Sequence, residues 1–393
     1  MSETAAPAAP RRVLPVRWLL SPGADLTLLV GSVLVSYGLL FFWSSGRLSL
    51  TGLIAIWVFG LHGPHFWGTM SRTFLDPSEW RERGPVLKRS LLWFLVGPAM
   101  VGAGLLLKRA TGYEDLVLLF FFLAALWAFQ HVIKQHFGFV ALYRAKHKEF
   151  EKGGFTFLKW YLLVSMWAPV LLVLVRAEAW FMRIPLAMVW GRSVGLEEVL
   201  STTGVIGDAC MVVFWAAQVV FAGYLVRQVV TGRGLNVPVL LIVAASVPLN
   251  YFVCFACLDA ALTGPAGNFE AYAFVPLVTS YHNIQYHALI WHFNREKYGA
   301  RGAEFGLAGK ANASLLTYVA CGVAYTLVTI GIEYYPFNVY DLVGFARDTY
   351  VGEILAAGIW GFSFLHYYVD AQIWHVRSDE NLQRVLGFAK PRT

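Results

Sequence analysis

Apolar runs long enough to cross a bilayer recur from one end of this 393-residue sequence to the other. A crossing helix needs about 20 consecutive apolar residues. Inside lipid every backbone polar group must be satisfied internally, which leaves helices and closed barrels as the possible folds. The runs fall at 26–43, 50–70, 90–107, 115–142, 157–176, 207–226, 236–262, 270–292, 312–333 and 350–374. They predict an all-α, polytopic integral membrane helix bundle with about ten transmembrane helices. Composition agrees, with 58% hydrophobic and 14% charged residues, against roughly 25% charged in ordinary globular domains. No stretch is left for a sizeable soluble domain.

The expected organisation is a disordered basic tail over 1–20, a transmembrane domain over 21–376 and a C-terminal tail over 377–393. Arg11-Arg12 could open a twin-arginine signal, but the run after it is too long for a signal-peptide core. Segment 177–206, with Trp180, Pro185, Trp190 and Gly191, reads as amphipathic or re-entrant. Asp76-Pro77-Ser78-Glu79 reads as a helix start, because Asp or Ser can cap and Pro suits the first turn. With the N-terminus placed inside, inner loops hold 22 Lys and Arg and outer loops 7 of the 31 in the chain. That bias puts both termini in the cytoplasm and, with the compact loops, suggests a bacterial inner membrane. It also accounts for the net charge of +7 without a nucleic-acid partner. Cys210, Cys254, Cys257 and Cys321 all lie in apolar runs and suggest no disulfide framework. Cys254 and Cys257 form a lone CxxC within a span, more simply two small apolar residues.

Ionisable groups inside a membrane are expensive, and a cluster of them points to a functional site. Four runs end in such clusters. They are His62 and His65; His131 and His136 with Gln135; His282, Asn283, Gln285, His287 and His292; and His366, Asp370 and His375. On the expected topology all of these lie toward the inner side of even-numbered spans, and His147 lies in the inner loop after the fourth. Neutral imidazole is the commonest metal ligand among side chains and suits iron, zinc and copper. A bundle can build such a site by pointing ligands inward from several helices. His62 and His65 share a face, as do His366 and Asp370. The i,i+5 pairs His131/His136 and His282/His287 sit about 140° apart on an ideal helix. Either a local π turn brings both to the site, or one ligates and the other supports. Asn283, Gln285 and Gln135 could orient ligands from behind or simply bond between helices. Trp291 and Trp374 read as interfacial aromatics.

The HxxxxH spacing of His131–His136 and His282–His287 resembles the boxes of the membrane-bound histidine-motif oxygenases, hydroxylases and fatty acid desaturases. The resemblance covers the motifs only, about a tenth of the chain. The sequence departs from that pattern in having no His-His pair and in spreading its histidines over four helices. A second similarity, without a shared motif, is to polytopic, histidine-rich carotenoid-cleaving dioxygenases of the Brp/Blh type. The first resemblance implies two iron ions held by His131, His136, His282 and His287. His62, His65, His292, His366, His375 and Asp370 are further candidates. It also implies an iron-dependent oxidoreductase of lipid metabolism, with a lipid-soluble substrate and an electron-donor protein as partners. Two other readings stay open: a haem-binding redox protein with paired axial histidines, and a transporter with a histidine proton or metal relay. A purely structural membrane protein would leave the one-sided histidines unexplained.

Overall fold

The computed structural model of the protein describes residues 15–112, 115–177, 196–263, 271–299, 302–342, 350–376 and 379–388. Residues 1–14 of the expected N-terminal tail and 178–195 of segment 177–206 lie outside these. The fold is all-α. Its main helices are α1 (Pro22–Ser44), α2 (Leu50–Trp57), α3 (Gly63–Arg72), α4 (Pro77–Ser90), α5 (Trp93–Thr111), α6 (Asp115–Lys146), α7 (Lys152–Ala177), α8 (Leu196–Val230), α9 (Val237–Thr263), α10 (Phe274–Tyr298), α11 (Gly306–Ala311), α12 (Leu315–Leu342), α13 (Tyr350–Ile373) and α14 (Glu380–Val385).

Helices occupy all ten expected positions, but ten spans do not follow. Among the described residues five helices are long and apolar enough to cross a membrane: Pro22–Ser44, Pro77–Thr111, Lys152–Arg176, Thr202–Val230 and Val237–Thr263. A sixth is possible if Gly302–Ala311 and Leu315–Thr329, bent by 54°, act as one. The expected spans outside this set are 50–70, 115–142, 270–292 and 350–374, the four that carry the histidine motifs. In α10 the reason is polarity rather than length. At 25 residues α10 is about 37 Å long, yet it carries His282, Asn283, Gln285, His287, His292 and Asn294.

The exposed surface fits lipid. Val212, Val219 and Leu316 are 69–79% exposed, while Arg72, Asn283 and His366 are at most 1% exposed. A water-soluble protein has the opposite distribution. These helices make the chain an integral membrane protein.

The chain divides into two compact units. The first contains residues 1–45 and 133–278. There α7 packs against both α8 and α9, and α9 lies along α1. The Asp25 carboxylate, fully buried, accepts bonds from the backbone of Leu19 (2.7 Å) and Leu20 (2.9 Å) and from the Tyr143 hydroxyl (2.7 Å). It pins the chain entry onto the end of α6.

The second unit contains residues 46–132 and 279–393. The α13 helix packs along α5 over a core of Val101, Leu105, Phe120, Ala357 and Phe364. Gly97 lets α5 approach the Ala357 carbonyl, where a Cβ would collide. The helix start expected at Asp76 is present. Asp76 Oδ1 accepts from the Ser78 backbone N–H at 2.7 Å, and Pro77 occupies the first turn.

Candidate metal centre

Four helices of the second unit build the site. Helix α3 supplies His65, α6 supplies His131, α10 supplies His282 and α13 supplies His366. Before α3 the chain makes a π turn over Val58–His62, closed by a bond from the Gly63 N–H to the Val58 carbonyl. Pro64 explains it. Proline has no N–H, and its ring would clash with the carbonyl four residues back. A wider turn relieves both problems, and π turns of this kind recur at functional sites.

The four imidazoles close a ring. Centroid separations are 4.5 Å for His65–His366, 4.9 Å for His366–His131, 5.2 Å for His131–His282 and 4.9 Å for His282–His65. His65 Nε2 and His366 Nε2 are 2.8 Å apart. His65, His131 and His366 each bring one nitrogen within 4.8 Å of the others, so this group could hold a metal ion. His65, His282 and His366 are 2%, 3% and 0% exposed, and the His131 Nε2 atom is buried. Neutral imidazole is the form that binds metal.

One helical turn beyond lies a second layer. Thr69 follows His65 by four residues, Tyr286 follows His282 by four and Asp370 follows His366 by four. These three side chains bond to one another. Thr69 Oγ1 is 2.6 Å from the Tyr286 hydroxyl and 3.1 Å from Asp370 Oδ1, and the Tyr286 hydroxyl is 2.8 Å from that same oxygen. Thr69 Oγ1 also meets His366 Nδ1 at 2.6 Å. Contacts in both layers with the same four-residue offset require α3, α10 and α13 to run in one direction. Helix α6 joins them, since Trp127 stacks on Phe364 and His131 stacks on Tyr367.

Beyond this layer sits a buried ionic group. Arg72 is fully buried, with its guanidinium 3.7 Å from the Phe293 ring centroid and 4.0 Å from that of Trp374. It donates to the Ile373 carbonyl at 3.0 Å. Lys297 bridges Asp76 (2.7 Å) and Glu79 (2.8 Å). Arg83 pairs with Glu79 and, at 2.8 Å, with Asp379.

The remaining candidates are placed elsewhere or at the edge. His287 lies 6.2 Å from His65 by ring centroids and bonds the Tyr318 hydroxyl at 2.9 Å. The His62 ring stacks on Trp57 at 4.0 Å and meets Phe66 at 4.7 Å. His292 Nε2 lies 3.4 Å from the Val385 carbonyl. His375 is exposed, with Nε2 2.6 Å from the Ala371 carbonyl. His136 and Gln135 belong to the first unit. Asn283 and Gln285 are buried on α10. Asp370 Oδ2 is 3.7 Å from His366 Nε2, while Oδ1 serves the second layer.

Sequence reading passed over Thr69, Tyr286, Tyr318 and Arg72. The i,i+4 offset from a histidine would have found the first two. The chain matches no protein-family model, no curated protein and no solved structure.

Proposed function

We propose that the protein is a multi-pass membrane metalloenzyme, an iron-dependent oxidoreductase acting on a lipid-soluble substrate. The observation that carries this reading is the closed ring of four imidazoles from four parallel helices. Such crowding has no structural economy: four buried polar rings at about 5 Å are costly unless something shares them. The all-nitrogen donor set suits iron, copper or zinc. Open positions beside a histidine-only set favour iron, as the resemblance to the histidine-motif oxygenases implies. Iron at such a site supplies oxygen activation.

His65, His131, His366 and His282 are the residues that would hold the ion. A second ion, as that resemblance implies, would draw on His287 and His62, which lie at the rim. The Thr69–Tyr286–Asp370 layer closes one side of the ring. The apolar walls, among them Phe66 and Tyr367, exclude water and suit a greasy substrate entering from the bilayer. The parallel run of the four histidine helices supports placing the site toward one face, the cytoplasmic one on the charge bias, where an electron-donor protein would dock. A bacterial inner membrane remains the proposed location.

The haem alternative fits less well. Two axial imidazoles place their nitrogens about 4 Å apart across a flat macrocycle, from bonds of about 2 Å each. His65 Nε2 and His366 Nε2 are 2.8 Å apart, too close for a plane between them.

The test is metal analysis of the full chain purified anaerobically in mild detergent, with an absorption spectrum on the same sample. Stoichiometric iron without a Soret band, lost in His131→Ala, supports the reading. Protein that stays metal-free after anaerobic incubation with ferrous iron overturns it.

A further inference from the structure

We propose that Thr69 is a positioning residue for the metal centre, fixing which nitrogen of His366 faces the ion. The proposal rests on the metal reading above and goes beyond it by assigning a direction to the hydrogen bonds behind the ligand.

The argument is a proton count. Thr69 Oγ1 has two contacts of 2.6 Å, to His366 Nδ1 and to the Tyr286 hydroxyl, and a third of 3.1 Å to Asp370 Oδ1. A contact of 2.6 Å between polar atoms needs a proton in it. Thr69 has one proton to give and can accept two. If it donates to His366 Nδ1, Tyr286 must fill the other short contact. Asp370 Oδ1 then faces two oxygens, at 3.1 Å and 2.8 Å, with a proton from neither. If Thr69 instead accepts from His366 Nδ1–H, it donates to the Tyr286 hydroxyl, which donates on to Asp370 Oδ1 at 2.8 Å. Every contact of 2.8 Å or less then has its proton, and the carboxylate, an acceptor only, receives one.

The second arrangement leaves His366 protonated at Nδ1, with the Nε2 lone pair free. Nε2 is the atom that faces His65 at 2.8 Å. A carboxylate therefore sets a histidine tautomer through the intervening hydroxyls of Tyr286 and Thr69. Direct carboxylate–histidine contacts behind a metal do the same, and losing them typically costs about 10–100-fold in metal affinity. Here Asp370 lies on the same helix as His366, four residues on. Its Oδ1 is turned to the hydroxyls of the neighbouring helices, so the direct contact is replaced by the Thr69 relay.

Cobalt(II) binding to the metal-stripped full chain in detergent tests this, because the ion reports both affinity and ligand geometry in its visible bands. Thr69→Ser keeps the hydroxyl and should match the wild type in both. Thr69→Val keeps the shape and removes the relay. It should weaken binding about 10–100-fold and change the band pattern. Asp370→Asn, nearly isosteric, offers an amide donor to the Tyr286 hydroxyl and should reverse the chain, with a loss in the same direction; it serves if Thr69→Val does not fold. Wild-type binding with either valine or asparagine variant within twofold and with unchanged bands overturns the proposal alone. A wild type that takes up no cobalt overturns it together with the metal reading.

Discussion

His65 Nε2 and His366 Nε2 lie 2.8 Å apart although 301 positions separate them in the chain. Without an ion, one imidazole must donate to the other. With one, both lone pairs can turn to it, since adjacent ligands with bonds of about 2.1 Å put their nitrogens roughly 3 Å apart. Removing either ring should therefore cost the metal. His65→Ala and His366→Ala are expected to retain well under a tenth of the wild-type metal, while His375→Ala, whose ring is exposed and turned to Ala371, retains it all. Metal analysis of the three purified variants checks this.

His131 and His136 should separate in the same assay. Five residues rotate a helix by about 500°, which leaves the two rings about 140° apart. The structure puts His131 against His282 at 5.2 Å and His366 at 4.9 Å. His136 is buried in the other unit. His131→Ala should lose the metal and His136→Ala should keep it. Equal loss in both, with wild-type melting behaviour, would contradict the assignment.

The parts of this site that were legible in the sequence are those whose chemistry is rare in a membrane. Histidines at the ends of apolar runs stand out whatever the packing does. Their placement on even-numbered runs foreshadowed the parallel α3, α6, α10 and α13. Thr69 and Tyr286 were not legible, because hydroxyls are ordinary in membrane helices and gain meaning only from the neighbour they meet. Arg72 was misjudged for a similar reason. It stands at the end of a run and counts as a loop cation, yet Phe293 and Trp374 bury it. Trp374 was expected at the lipid interface and instead covers that guanidinium. The span count failed where the polar site itself lowers hydropathy, as it does in α10.

Gly68 should not tolerate a methyl group. A Cβ there would sit 2.8 Å from Tyr286 Cε1. That ring cannot easily yield, since its hydroxyl is held by Thr69 and Asp370. Overpacking of this kind typically costs about 1–3 kcal/mol, more than the roughly 0.5–1 kcal/mol that alanine gains over glycine in a helix. Gly68→Ala should lower the melting midpoint in detergent and weaken metal binding together. Gly102→Ala, where nothing lies within 4 Å of the new atom, should do neither.

Asp76 gives the fold an acid-sensitive joint. Its oxygens meet the Lys297 ammonium at 2.7 Å, the Tyr298 hydroxyl at 3.0 Å and the Ser78 N–H at 2.7 Å. Burial works to raise its pKa, but the bond to Lys297, that charge and the bonds from Ser78 outweigh it and hold the group below the usual carboxylate range. A depressed native value means the carboxylate contributes stability above the unfolded value, about 3.9. That contribution is lost as pH falls through the native one. The melting midpoint should be insensitive to this group at neutral pH and drop below about pH 4. Asp76→Asn should lower the midpoint at pH 7 and flatten the acid limb. Lys297→Met leaves Asp76 and Glu79 without the cation they share, and breaking a buried pair costs about 3–5 kcal/mol. It should be the more damaging change at pH 7, with its deficit shrinking in acid as Asp76 takes up a proton. A deficit independent of pH would place the role of Lys297 in its packing against Phe293 and Phe305 rather than in its charge.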